Sequence, residues 1–179
     1  MEHAKIELEL QRLHPETFGW ALACCGRNRS EAEDVMQLAY VKVLEGSAKF
    51  DGRSSFRTWL FGVVRRTAVE RRRRSAVHMR LLKLFFAGNV KSDSPGPEST
   101  IDYSIRSKEL LEGMSRLSKR QSEVLQLIFY HDMTIEQVSE VLDLSIGSTR
   151  THYTRGKRKL AHMLRMVEKG KTGHDRTIE

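Results

Sequence analysis

The chain has 179 residues, with 31 Lys and Arg against 23 Asp and Glu, a net charge of +8 and a pI near 9.7. That length allows two small domains or one of ordinary size, and the basic excess suits a polyanionic partner. Cys24 and Cys25 are the only cysteines and are adjacent, which makes them poor disulfide partners. No CxxC or Cys/His pairing has zinc-site spacing and the histidines are scattered, so no metal site is predicted, and no cofactor is read.

His14-Pro15 predicts a helix with proline at its first position and Phe18, Leu22 and Cys25 along one face. Ser30 with Glu33 matches the S/T-x-x-E/Q capping box and starts a second helix, its stripe carrying Val35, Leu38, Ala39 and Leu44. Glu31, Glu33 and Asp34 are then acids in a first turn, where they complement the helix dipole rather than act as catalytic carboxylates. Phe50 to Ser55 forms a loop. From about Ser55 a third helix follows, FRTWLFGVVRRTAVERRRR, setting Phe56, Trp59, Leu60, Val63, Thr67 and Val69 beside Arg57, Arg65, Arg66 and Arg71 to Arg74. Aromatic rings next to a polar loop, followed by a basic helix, suit unstacked bases: rings stack and arginines hold the backbone. Phe56 and Trp59 equally fit an inward stripe, and Phe50 stands open between the two readings.

Val77, Met79, Leu81, Leu82, Leu84, Phe85 and Phe86 are together too apolar to face water. The run from Ala76 to Ala87 is either a helix that packs in the free protein and peels off on a partner, or a plain continuation of the basic helix. Gly88 to Thr100 holds two of the three prolines and one apolar side chain, which predicts a flexible linker.

Leu117 to Leu164 reads as a helix and then a helix-turn-helix. Ser118 with Gln121, and Thr134 with Gln137, are capping boxes, and Ser145 caps a helix opening at Ile146. Along that last helix Ile146, Thr149, Tyr153, Leu160 and Leu164 form the inward stripe. The opposite face carries Arg150, Thr151, Thr154, Arg155 and Arg158, flanked by His152, Lys157 and Lys159. Arginine can bond a guanine edge with two parallel bonds, and threonine can donate, accept or touch a thymine methyl. A solvated face is the plain alternative for any charge run; the capped helix and tight turn just before it favour DNA. After Gly170 the tail reads as frayed.

Charge is distributed in parallel across the two halves. Arg53 to Arg74 has eight basic residues and one acid, Ile146 to Lys171 again eight and one, and the stretch before each leans acidic. Two nucleic-acid contacts on two modules account for this. No phosphate-cradling glycine loop, nucleophile elbow or carboxylate pair with a plausible base is found, so no enzyme is read. No secretory signal or long apolar span is found either, which predicts a cytoplasmic protein without membrane insertion.

EAEDVMQLAYVKVL followed by KFDGRSSFRTWLFGVVRRTAVERRRR resembles region two of the extracytoplasmic-function (ECF) sigma factors of the sigma-70 family. LSKRQSEVLQLIFYHDMTIEQVSEVLDLSIGSTRTHYTRGKRKL resembles their region four. The resemblance covers nearly the whole chain in the family's order. It implies an all-α protein: region 2 over residues 1–75, a linker over 76–107, region 4 over 108–168 and a disordered tail over 169–179. It also implies the partners, namely promoter DNA, core RNA polymerase through its clamp helices and flap, and an anti-sigma factor. Asp34, Gln37 and Val41 match positions where the family docks on the clamp helices. Phe50, Gly52, Arg53, Ser54, Ser55, Val63 and Arg66 match those where the downstream (−10 type) element is read as a single strand. Ser148, Arg150, Thr151, Thr154, Arg155 and Arg158 match those where the upstream (−35 type) element is read in the major groove.

Three departures bear on specificity. Leu38 stands where the family commonly has an acid, Arg66 where it usually has Asn, and Asp143 where it usually has Gly. A donor-only guanidinium at Arg66 should change which base is accepted, whereas Asp143 still tolerates the left-handed conformation. Three functions follow: a sigma subunit, a stand-alone helix-turn-helix regulator, or a structural RNA-binding protein using the arginine run. The loop with its aromatics favours the first.

Overall fold

Seven helices of two turns or more, and no strand, are found among the residues that the computed structural model describes. Those are 3–85 and 113–174 for the backbone, and 3–78 and 113–165 for the side chains. The helices are α1 (His3–Arg12), α2 (His14–Cys24), α3 (Arg29–Leu44), α4 (Phe56–Phe85), α5 (Lys119–Phe129), α6 (Ile135–Leu142) and α7 (Ile146–His174). They belong to two compact units, which gives the all-α, two-domain architecture expected.

In the first unit, α2 begins with Pro15 in its first turn and no side-chain cap at Leu13. The face it buries is Leu13, Thr17, Trp20, Ala21 and Cys24. That is one position round from the face expected, since Phe18, Leu22 and Cys25 are only half-buried. Trp20 sets this rotation. Its ring is fully buried, stacks on Phe61 at 6.1 Å and 9°, and its Nε1–H donates to the Phe61 carbonyl at 3.0 Å. The largest side chain with a polar tip goes where both its area and its N–H are satisfied.

The start of α3 also differs from expectation. Gly26 and Arg27 both have positive φ, and the chain leaves α2 through them into an extended Asn28. Asn28 Oδ1 accepts from the Glu31 N–H at 3.0 Å, so the cap lies two residues before Ser30, which is already helical. Glu33 pairs with Arg29 instead, at 2.9 Å. Ala32, Val35, Met36, Ala39 and Val43 are buried, while Leu38 and Leu44 are half-buried.

Ser55 caps α4, its Oγ accepting from the Thr58 N–H at 3.1 Å. Thr58, Leu60, Phe61, Val63, Val64, Arg65, Thr67 and Ala68 are all buried. More than one face is covered because α2 and α3 both pack on this helix. From Arg71 to His78 every side chain is exposed, yet the backbone stays helical to Phe85. Residues 76–85, expected to open the linker, have helical backbone that continues the basic helix. Ion pairs tie its root to α3: Lys42–Glu70 at 2.7 Å, with Arg74 on the same carboxylate at 2.6 Å, and Arg71–Asp34 at 2.5 Å. Lys42, then Arg74, holds the Glu70 carboxyl below its ordinary pKa. The stretch from Gly88 to Thr100, and the side chains from Met79 to Ala87, lie outside the described residues.

In the second unit the capping signals read from sequence are all present. Ser118 and Gln121 form the reciprocal box at 3.4 and 3.3 Å, and Thr134 and Gln137 do so at 3.3 and 2.9 Å. Ser145 Oγ accepts from the Ser148 N–H at 3.1 Å. Asp143 takes φ 53°, the left-handed turn between α6 and α7. The inward stripe of α7 is Thr149, Tyr153, Gly156 and Leu160, with Ile146 left 43% exposed rather than inward. Gly156 was not foreseen. A Cβ there would stand 3.2 Å from Gln121 Cβ and 3.3 Å from Leu125 Cδ1, so α5 and α7 meet closely at that point. The helix runs on to His174, past the expected start of the tail, through Gly170 and Gly173, each of which costs a helix only about 1 kcal/mol.

Candidate nucleic-acid interface

The short turn at Asp143 and the cap at Ser145 present the first turns of α7 to solvent. Ser148, Arg150, Thr151, Thr154, Arg155 and Arg158 are all exposed along this helix. Thr151 Oγ1 donates to the Gly147 carbonyl at 2.9 Å, which spends its proton and leaves its methyl and lone pairs outward. Such a side chain can touch a thymine methyl or accept from a base amine. Arg150 stands 3.8 Å from Glu136 on α6. The flanks are less free than the sequence suggests. Lys159 Nζ donates to the Arg116 carbonyl at 2.8 Å, and Lys157 lies 5.7 Å from the Tyr153 ring centroid.

In the first unit Phe50, Phe56 and Trp59 form one aromatic cluster, their centroids 5.5, 5.3 and 5.2 Å apart in pairs. All three are half-buried, so the rings are a wall of the core and a surface at once. Gly52, at φ 76°, turns the loop, and the Arg53 N–H closes on Asp51 Oδ1 at 3.2 Å. Arg53 and Ser55 are exposed and Ser54 is half-buried. Val63 departs from the expectation. At 3% exposure it is core, because α4 is covered on several sides there, and it does not join the loop surface. Arg66 is exposed and its guanidinium rests on Gly62, where a Cβ would be 3.3 Å from Nη1. Gly62 follows Trp59 by three residues, so the charge lies along the helix toward the aromatic cluster. A glycine inside a helical pattern is the signal that could have found this seat.

On α3, Gln37 and Val41 are exposed and Asp34 is half-exposed, at spacings of three and four that share a face. The Asp34 partner, Arg71, was not foreseen in that role. Among the described residues, no group of three or more His, Cys, Asp or Glu could hold a metal ion, and no helix is long and apolar enough to cross a membrane.

Known proteins carry this arrangement. The family model for Sigma-70 region 2 matches residues 10–77, and that for Sigma-70, region 4 matches residues 107–160. The RNA polymerase sigma factor YlaC of Bacillus subtilis (strain 168) is 27% identical over 129 residues, 72% of this chain and 75% of that protein. The ECF RNA polymerase sigma factor SigX of the same organism is 24% identical over 144 residues, 79% of this chain and 74% of that protein. Among solved structures, the sigma factor RpoE in complex with the anti-sigma factor NepR, from Bartonella quintana, shares the fold. It gives a TM-score of 0.69 at 20% identity, covering 90% of this chain and 97% of that one. Two helical modules, one ending in an exposed recognition helix, define a DNA-directed transcription factor. The chain belongs to the sigma-70 family of RNA polymerase sigma factors, as a member of the ECF type. It is an alternative sigma factor, a transcription regulator that joins core RNA polymerase and directs it to promoter DNA.

Proposed function

We propose that the two units divide the work of promoter recognition, with the α7 face reading the upstream element and the loop with α4 reading the downstream one. The observation that carries this reading is the α7 surface. Five hydrogen-bonding side chains, Arg150, Thr151, Thr154, Arg155 and Arg158, are exposed on a helix whose opposite face is closed by Thr149 and Gly156. Region 2 lies in the first unit and region 4 in the second, with the linker between them. Asp34, Gln37 and Val41 dock on the polymerase clamp helices, and the flap takes region 4. The chain acts in the cytoplasm and has no catalysis of its own. An anti-sigma factor restrains it, as NepR is bound to RpoE in the Bartonella quintana complex. The stand-alone regulator is disfavoured by the aromatic loop and the full region 2 beside the helix-turn-helix.

Arg155→Ala tests the upstream half. It is expected to cost about 1–3 kcal/mol of promoter binding and to relax discrimination at one or two base pairs. A base-substitution profile unchanged by Arg155→Ala would reject the face. Lys159→Ala, whose ammonium already caps the Arg116 carbonyl, is expected to loosen the second unit and leave the profile alone.

Phe50→Ala tests the downstream half. If the cluster stacks an unpaired base, worth roughly 1–3 kcal/mol, permanganate-detected melting falls far more than closed-complex formation. A premelted bubble template then restores the variant. Equal loss on duplex and bubble templates would place Phe50 in the core alone.

A further inference from the structure

Glu136 lies outside every set of residues considered above, yet it is the acid that faces the reading surface. It stands in the first turn of α6, and its Oε1 is 3.8 Å from Arg150 Nη2 across the turn of the helix-turn-helix. Its own backbone N–H, the Thr134 side chain and then Arg150 keep its pKa below the ordinary glutamate value, so it is charged at neutral pH. Thr134 is itself fixed by the capping box with Gln137, at 2.9 and 3.3 Å. The helix to which Arg150 belongs is set against α6 by Asp143 at φ 53° and by the Ser145 cap. An anion therefore sits beside a long cation, each with more than half of its side chain exposed.

We propose that Glu136 is a specificity-determining positioning residue for upstream promoter readout. It holds one edge of the Arg150 guanidinium so that the other edge meets two adjacent acceptors on one base, N7 and O6 of a guanine. A guanidinium has five donors and no acceptor, so one edge can serve a carboxylate while the other forms the bidentate pair. An acid so near a phosphate backbone weakens attraction to DNA in general, since like charges repel whatever the base sequence. Glu136 thus lowers affinity for all sequences while sharpening one position. The proposal rests on the reading of the α7 face as the upstream reader, and the experiment separates the two.

Holoenzyme reconstituted from core polymerase and the full chain is allowed to select from a duplex library randomised over the upstream element. The variants are Glu136→Gln, Arg150→Ala, the double substitution, and Glu140→Gln, an exposed acid of the same helix that serves as the charge control. Arg150→Ala is expected to flatten the guanine preference at one position. Glu136→Gln is expected to weaken the preference at that same position roughly three- to tenfold, with affinity for the remaining sequences held or raised. The double variant should match Arg150→Ala alone, because a residue that acts through another adds nothing once that other is gone. Glu140→Gln should leave the profile unchanged. A purely structural role for Glu136 would lower all sequences alike, which overturns the proposal. So does a Glu136→Gln effect that persists on the Arg150→Ala background or falls at a different position, since Glu136 would then read a base itself. A profile that Arg150→Ala leaves unchanged defeats the reading of the face, and the proposal with it.

Discussion

Asp34→Arg is expected to abolish co-purification with core RNA polymerase while leaving helical content and melting temperature nearly unchanged. Asp34 is half-exposed on the same face of α3 as Gln37 and Val41, the face proposed to dock on the clamp helices. Among the described residues it pairs with Arg71, at 2.5 Å, with both side chains about 45% exposed (45% and 46%). An ion pair this open contributes at most about 1 kcal/mol, so reversing the charge disturbs the fold little even beside Arg71. A bound protein surface is another matter, because an unpaired charge taken out of water costs several times as much. Arg71→Ala supplies the control: it removes the same ion pair without touching the docking face and is expected to keep core binding. Normal binding by Asp34→Arg would show that this face of α3 does not meet the polymerase.

Trp20→Ala is expected to have the largest effect on stability, about 3–5 kcal/mol for a buried aromatic truncated in a packed core. The ring is fully buried against Phe61, and its N–H meets the Phe61 carbonyl in the second turn of α4. Its removal opens a cavity where α2 meets the helix that carries the arginine run. Calorimetry should show a melting transition lowered by many degrees, or lost. Trp20→Phe keeps most of the volume but drops the N–H donor and should cost far less, near the about 1 kcal/mol of one hydrogen bond. Equal losses for the two variants would mean that the hydrogen bond, rather than the ring, holds α2 to α4.

Local signals were the legible part of this chain. Ser118–Gln121, Thr134–Gln137 and Ser145 each place a side-chain acceptor within a few residues of the N–H it satisfies, so the helix starts of the second unit could be read directly. Asp143 could be read for the same reason, as a short polar side chain at a turn that needs positive φ. The exposed face of α7 followed from the period of the helix once Ser145 had set its start.

Much of what escaped depended on partners outside the local capping signals. The rotation of α2 is set by Trp20 meeting Phe61, 41 residues on. The cap of α3 moved to Asn28 because the backbone at Gly26 and Arg27 turned left-handed first. Phe61, Val64, Arg65 and Ala68 are buried as well as the stripe that holds Leu60 and Val63, because α4 is enclosed on more than one side, which a single hydrophobic stripe does not foretell. Gly62 and Gly156 matter through what they admit, the Arg66 guanidinium and the α5 surface, and a missing side chain leaves no apolar pattern to follow. Glu136 was hidden likewise, since its role needs the turn that brings α6 beside Arg150.

Run-off transcription with purified core polymerase and genomic DNA fragments tests the central claim most directly. The account predicts discrete transcripts that require this chain. Their start sites should share an upstream element whose recognition Arg155→Ala relaxes, and a downstream element whose opening fails in Phe50→Ala except on a premelted bubble. Tight, sequence-specific binding to duplex DNA by the chain alone, with no transcript in the presence of core polymerase, would contradict it.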